Sequence, residues 1–236
     1  MASSAVLFFH GFPFGGELLF LGFILTTCSM VLWFKDVILE GTYLGFHTSQ
    51  VQKGLYLGFI LFLISEIMVF FSVFWAFLHS SLAPTIEINT WPPLGINVLD
   101  PFSIPLLNTV LLLSSGAFIT WGHHALIKGD RKGAIFGSLI TIILAFIFTA
   151  FQGMEYHDST FSIADSIFGT VFFASTGLHG VHIIIGTLFI IVGLIRIINY
   201  QFTDSHHLGF ESAILYWHMV DVVWIFLFIV VYYWGS

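Results

Sequence analysis

Six apolar segments, at about 17–39, 53–79, 104–127, 132–155, 163–197 and 208–234, set the terms on which this chain can fold. Each is long enough to cross roughly 30 Å of hydrocarbon as a helix rising about 1.5 Å per residue. Backbone amides in lipid must find partners inside their own segment, so a helix is the form open to isolated runs of this length. Proline respects the division. Pro13 precedes the first segment, and Pro84, Pro92, Pro93, Pro101 and Pro105 cluster between the second and the body of the third. With 8% charged and 58% hydrophobic residues, the chain cannot cover itself with a hydrated surface, for which a soluble domain uses about 25% charged residues. The fold class is therefore all-α, a polytopic transmembrane helical bundle with six full helices, preceded by a short apolar piece at 4–12, and organised as a single membrane domain over 1–236.

The charges exclude some functions and orient the helices. Six Lys and Arg form no basic patch, which argues against nucleic acid as a partner. One cysteine, Cys28, leaves no internal disulfide, CxxC pair or iron–sulfur cluster held by this chain alone. The first sixteen residues contain no Arg and no basic region, unlike a secretory or transit peptide. If the segments alternate across a membrane, Lys35, Lys53, Lys128, Arg131, Lys132 and Arg196 all fall on one side, and the opposite loops carry no Lys or Arg. The positive-inside rule makes that side cytoplasmic or matrix, and places the C-terminal YYWGS opposite, with Tyr232, Tyr233 and Trp234 expected as interfacial anchors. The stretch 84–105, rich in proline and carrying Trp91, reads as an ordered cap over the helix ends.

Polar side chains at membrane depth are expensive, which makes them informative. Glu66 is central in the second long segment, His179 and His182 in the fifth, and His218 and Asp221 in the sixth. The i, i+3 spacing puts each of the last two pairs on one helix face. Because their helices are consecutive, the pairs are expected at similar depth, able to face each other. Three readings of this group compete. Three His and one Asp could ligate zinc or iron, although no HExxH or HxxHH pattern is present. Glu66 and Asp221 could relay protons, as in a stand-alone proton-coupled transporter. Alternatively, these groups hydrogen-bond across helices and set the register of the bundle. For Glu66, the protonated form is the cheaper one in an apolar setting. Ser and Thr beside Gly in LLSSGAF (112–118) and ASTGLH (174–179) lack the GxSG of intramembrane serine proteases and suit close packing.

Several long stretches carry a family resemblance. LISEIMVFFSVFWAFLHSSLAPT (63–85) resembles the third helix of cytochrome c oxidase subunit III. WPPLGI (91–96), PLLNTVLLLSSGAFITWGHHAL (105–126), ADSIFGTVFFASTGLHGVHIIIGTLF (164–189) and HHLGFESAILYWHMVDVVWIFLFIVVYYWGS (206–236) are similar to the same family in the same order, nearer its mitochondrial than its bacterial form. The resemblance implies a non-redox core subunit of the terminal respiratory oxidase, with no catalytic residue and no metal of its own. Haem and copper then belong to partner subunits I and II, with accessory subunits alongside. The implied roles are stabilising subunit I, supporting proton uptake, and holding structural phospholipids in a cleft that guides oxygen. The implied location is the mitochondrial inner membrane, with the C-terminus on the intermembrane-space side.

The same resemblance makes Glu66 the family's carbodiimide-reactive intramembrane carboxylate. It also assigns phospholipid headgroup binding to Trp33, Glu40, His47 and Arg196. Two departures stand out. In WFKDVILEG (33–41) the family's second basic residue is Leu39, and only Lys35 is kept. The family has seven helices, and residues 1–16 match only the last turns of its first.

Overall fold

A computed structural model describes residues 1–85, 90–204 and 206–235. Its described residues are helical apart from turns and loops, and by contact they divide into two compact units, 1–54 and 55–236. The first unit holds α1 (Ala2–Phe9), α2 (Gly15–Thr42) and the start of α3 (Ser49–Leu82). The second holds the rest of α3, then α4 (Ile104–Ile127), α5 (Arg131–Asp158), α6 (Ser166–Ile198) and α7 (Leu208–Leu227), which continues as a π-helical turn over Phe228–Tyr233. Six of these helices, α2 to α7 with its extension, are long and apolar enough to cross a membrane.

Local chemistry explains where the helices begin. Pro105 sits in the first turn of α4, where its missing amide leaves no bond unmade. In the turn before α5, Gly129 takes φ +78°, and the Asp130 side chain then caps the helix by accepting from the Gly133 amide at 3.1 Å. The end of α3 and the start of α6 meet the described part of the proline-rich loop through Trp91. Its ring lies edge-on to Phe77 at 5.5 Å and 5.4 Å from Phe168. Residues 86–89 of the expected cap lie outside the described residues.

In the second unit, α4, α5, α6 and α7 form a ring of four, α4 against α5 and α7, α6 against α5 and α7. Lipid tails are as apolar as these side chains, so van der Waals fit and interhelical hydrogen bonds must hold the ring together. The α4–α5 crossing shows the fit. Gly122 and Gly137 meet there so closely that a Cβ on Gly137 would lie 2.7 Å from the Phe118 carbonyl oxygen. Ser115, from the SSG stretch, ties three helices together. Its hydroxyl accepts from Trp217 Nε1 at 2.9 Å, and its carbonyl accepts from the Thr141 hydroxyl at 3.2 Å. Trp224 Nε1 similarly donates to Thr109 at 2.9 Å. Along α3, Phe59, Phe62 and Phe74 lie against rings of Phe189, Tyr216 and Phe226, which seats this helix over α6 and α7.

The basic end of this unit is held by Arg131. Its Nε donates to the Ile197 carbonyl at 2.9 Å, its Nη2 donates to the Ile198 carbonyl, and the guanidinium lies 3.5 Å above the Tyr200 ring. The α4–α5 turn and the end of α6 therefore share one side, as alternating crossings require.

Candidate intramembrane polar site

Glu66 is 17 residues from the start of α3 and 16 from its end, roughly 25 Å from each. At that depth it meets α6. Its Oε2 lies 2.8 Å from Nε2 of His182, a residue 116 positions away in sequence. The side chains are largely enclosed, His182 at 6% and Glu66 at 22% exposure. The other imidazole nitrogen, Nδ1, lies 2.8 Å from the Leu178 carbonyl one turn earlier in α6. The Phe70 ring stands 4.8 Å from the His182 ring, and Tyr216 of α7 stacks parallel to it at 6.1 Å.

The two i, i+3 pairs do not face each other. His179 is buried and turns its Nε2 to the Val220 carbonyl of α7 at 3.3 Å, between the rings of Phe148 and Trp224. His218 and Asp221 instead look toward α4, because that face of α7 packs on Gly116 and Thr120. The Thr120 hydroxyl donates to the Gly116 carbonyl at 2.8 Å and stands 3.0 Å from His218 Nε2. On the other side of the ring, His218 Nδ1 is 3.4 Å from Asp221 Oδ2. His218 is 40% exposed, so it is not a buried residue as the sequence suggested. It borders an open groove of about 760 Å³ between α4 and α7, lined also by Ala117, Trp121 and Val222. Gly116 makes room for the acid, since a Cβ there would collide with Asp221 Oδ2. The polar groups thus form separate pairs on different helix faces, not one network.

A further buried carboxylate escaped the reading of the sequence. Glu155 is 2% exposed in the last turns of α5. Its Oε1 accepts from the Tyr232 hydroxyl at 2.5 Å and from Gln152 Nε2 at 3.1 Å. Tyr232 is therefore not an interfacial anchor. The π-helical turn swings its ring inward against Phe172 at 5.3 Å, while Tyr233 and Trp234 stay exposed. Near the basic end, His123 of α4 and His207 before α7 approach with their Nε2 atoms 3.2 Å apart, and His207 Nδ1 lies 3.0 Å from the Thr203 carbonyl.

The four residues assigned to phospholipid divide between the two units. In the first, Trp33 and Glu40 lie seven residues apart on one face of α2. His47 follows the helix, with its ring so near Gly41 that a Cβ there would be 2.7 Å from Nδ1. In the second, Arg196 donates from Nε to Gln201 Oε1 at 3.2 Å, and its guanidinium covers the Phe202 ring at 4.0 Å. Among the described residues, no three His, Cys, Asp or Glu side chains gather as a metal-binding group.

These features define a helical membrane protein whose intramembrane acids are partnered by its own side chains. The family model for cytochrome c oxidase subunit III matches residues 1–236, and the chain belongs to that family, a core subunit of the terminal oxidase. It is 57% identical over 242 residues to cytochrome c oxidase subunit 3 of Mycosarcoma maydis, covering 100% of this chain and 88% of the relative. To the Podospora anserina protein of the same name it is 58% identical over 237 residues, with the same coverage. The Rhizopus stolonifer protein is 56% identical over 234 residues, covering 99% of this chain and 83% of that one.

Proposed function

We propose that this chain works as a non-catalytic subunit, a membrane scaffold beside the oxidase's redox centres. The observation that carries this reading is that the intramembrane acids are taken up by internal partners, Glu66 by His182 and Glu155 by Tyr232 and Gln152. Side chains engaged in this way stabilise a bundle. Haem and copper are held by partner subunits I and II, with accessory subunits alongside. The chain lies in the mitochondrial inner membrane with its C-terminus in the intermembrane space, a reading supported by six cations that all fall on one side when the segments alternate across a membrane. Trp33, Glu40, His47 and Arg196 contact phospholipid headgroups, Arg196 and His47 supplying groups suited to phosphate. Glu66 is the carboxylate that reacts with carbodiimides, and the chain supports proton uptake by subunit I.

Blue-native electrophoresis of gently solubilised membranes tests the scaffold reading. The tagged chain should co-migrate with haem-containing partners. Migration as a haem-free particle would overturn it and favour a stand-alone transporter using Glu66 and Asp221. Haem or copper bound stoichiometrically to the isolated chain would also overturn it.

A further inference from the structure

At the basic end of the second unit, His123 in the last turns of α4 and His207 at the start of α7 meet nitrogen to nitrogen, Nε2 to Nε2 at 3.2 Å. Two imidazole nitrogens bound tetrahedrally to one zinc(II) ion, each about 2.0–2.1 Å from it, stand roughly 3.3–3.4 Å from each other. The pair is therefore at a chelating separation to within about 0.2 Å, although its members lie 84 residues apart in the chain.

His207 is also set in the tautomer that a metal requires. Its Nδ1 lies 3.0 Å from the Thr203 carbonyl, which only accepts, so Nδ1 carries the hydrogen and Nε2 of the neutral ring presents a lone pair. An N–H to carbonyl bond from the second ring nitrogen is what orients most zinc-bound histidines. Without an ion, the 3.2 Å contact is an N–H to N bond for which His123 holds the hydrogen on Nε2. Nδ1 of His123 has no hydrogen-bond partner among the described residues. Moving the hydrogen to Nδ1 therefore breaks only the bond to His207, and gives a second lone pair facing the first.

The surroundings fix both rings. Phe210, fully buried, stands edge-on to His123 at 6.2 Å and packs on Phe202 at 6.2 Å. The turn before His207 is closed by the Thr203 amide on the His206 carbonyl at 3.3 Å and by the His206 amide on Thr203 Oγ1 at 2.9 Å. Two cations of this end are directed to other partners, Arg131 to the Ile197 and Ile198 carbonyls and Arg196 to Gln201. Both histidines are half-buried, which lets water reach an ion held between them.

We propose that His123 and His207 form a two-histidine site for a zinc(II) ion, with water completing its coordination, and that the ion fastens the α6–α7 connection to the end of α4. Zinc has no redox chemistry, so the site adds a binding function without altering the scaffold reading, on which it does not depend.

Metal analysis of the purified oxidase complex tests it. The complex is stripped with a weak chelator, dialysed against zinc chloride and assayed for bound zinc by mass spectrometry. The wild type should retain one more zinc per complex than His123→Gln or His207→Gln, and His124→Gln should match the wild type. Equal zinc in the wild type and both variants would overturn the site. A loss in His124→Gln as large as in the other two would overturn the assignment to this pair. If the variants do not assemble, a footprint of the wild type decides. Zinc should slow carbethoxylation of His123 and His207 by diethyl pyrocarbonate several-fold, with the exposed His157 unchanged. Rates at 123 and 207 that do not respond to zinc would overturn the proposal.

Discussion

Replacing Gly137 by alanine tests whether the α4–α5 crossing depends on bare backbone. The added methyl would lie 2.7 Å from the Phe118 carbonyl oxygen, 2.9 Å from Gly122 Cα and 3.0 Å from Gly122 N. Optimal carbon contacts are about 3.5–4.0 Å, so α4 and α5 must part by roughly 0.5–1 Å at this point. All three colliding atoms are helix backbone, and none can rotate out of the way. Separation would also stretch the Thr141 bond to the Ser115 carbonyl, already 3.2 Å and about two turns away on α4. Overpacking of this kind costs about 1–3 kcal/mol, and a collision with backbone belongs at the upper end. The helix preference of alanine over glycine returns about 1 kcal/mol. We therefore expect a net loss of about 1–2 kcal/mol, or a fall of roughly 2–8 °C in the thermal midpoint of a chain this size. The assay is thermal dissociation of the detergent-purified complex, followed by release of this chain. Gly153→Ala on the same helix is the control, because no heavy atom lies within 4 Å of a Cβ built there. It should be neutral or gain up to about 1 kcal/mol. Equal midpoints for the two variants would refute the crossing argument.

Three other perturbations have defined outcomes. Tyr232→Phe removes the 2.5 Å donor to Glu155 while Gln152 remains, so thermal dissociation should show a loss of about 1–2 kcal/mol. Arg131→Ala frees the Ile197 and Ile198 carbonyls and uncovers Tyr200, and should speed proteolysis within residues 199–207; Arg131→Lys should recover little, because an ammonium lacks the planar fork. Arg196→Ala should lower the phospholipid that co-purifies with the complex, measured by lipid mass spectrometry, and unchanged lipid content would count against a headgroup contact there.

The spans were legible because their signal is local. Hydrophobic runs, prolines gathered between spans and cations at alternate loops are all properties of neighbouring residues. Pairings across the bundle are not. Glu66 and His182 stand 116 residues apart, and nothing near either names the other. The i, i+3 spacing of His218 and Asp221 correctly put them on one face, yet spacing within a helix does not say which neighbour that face meets. Here it is α4, through Gly116 and Thr120, and not α6. Tyr232 misled for a related reason. An aromatic residue near the end of a span usually sits at the interface, and only the widened turn of backbone around it directs the ring to Glu155, itself read as the edge of a segment. Gly116 offered the one indirect signal, a residue without a side chain where an acid from another helix needs space.

The π-helical turn at Phe228–Tyr233 has a consequence for how the chain can change over evolutionary time. Such a turn amounts to an α-helix carrying one additional residue. Removing any single residue between Phe228 and Val231 could let the helix relax to regular geometry at little local cost. Tyr232 would keep its place, whereas closing the turn with all its residues retained would carry Tyr232 about 100° around the axis, the angle of one helical step. In that second case Tyr232 would lose its aim at Glu155, and another side chain would be offered in its place. What is constrained here is thus the match between the number of residues and the width of the turn: the present length with a π turn, or one residue fewer with a regular helix, points Tyr232 at Glu155.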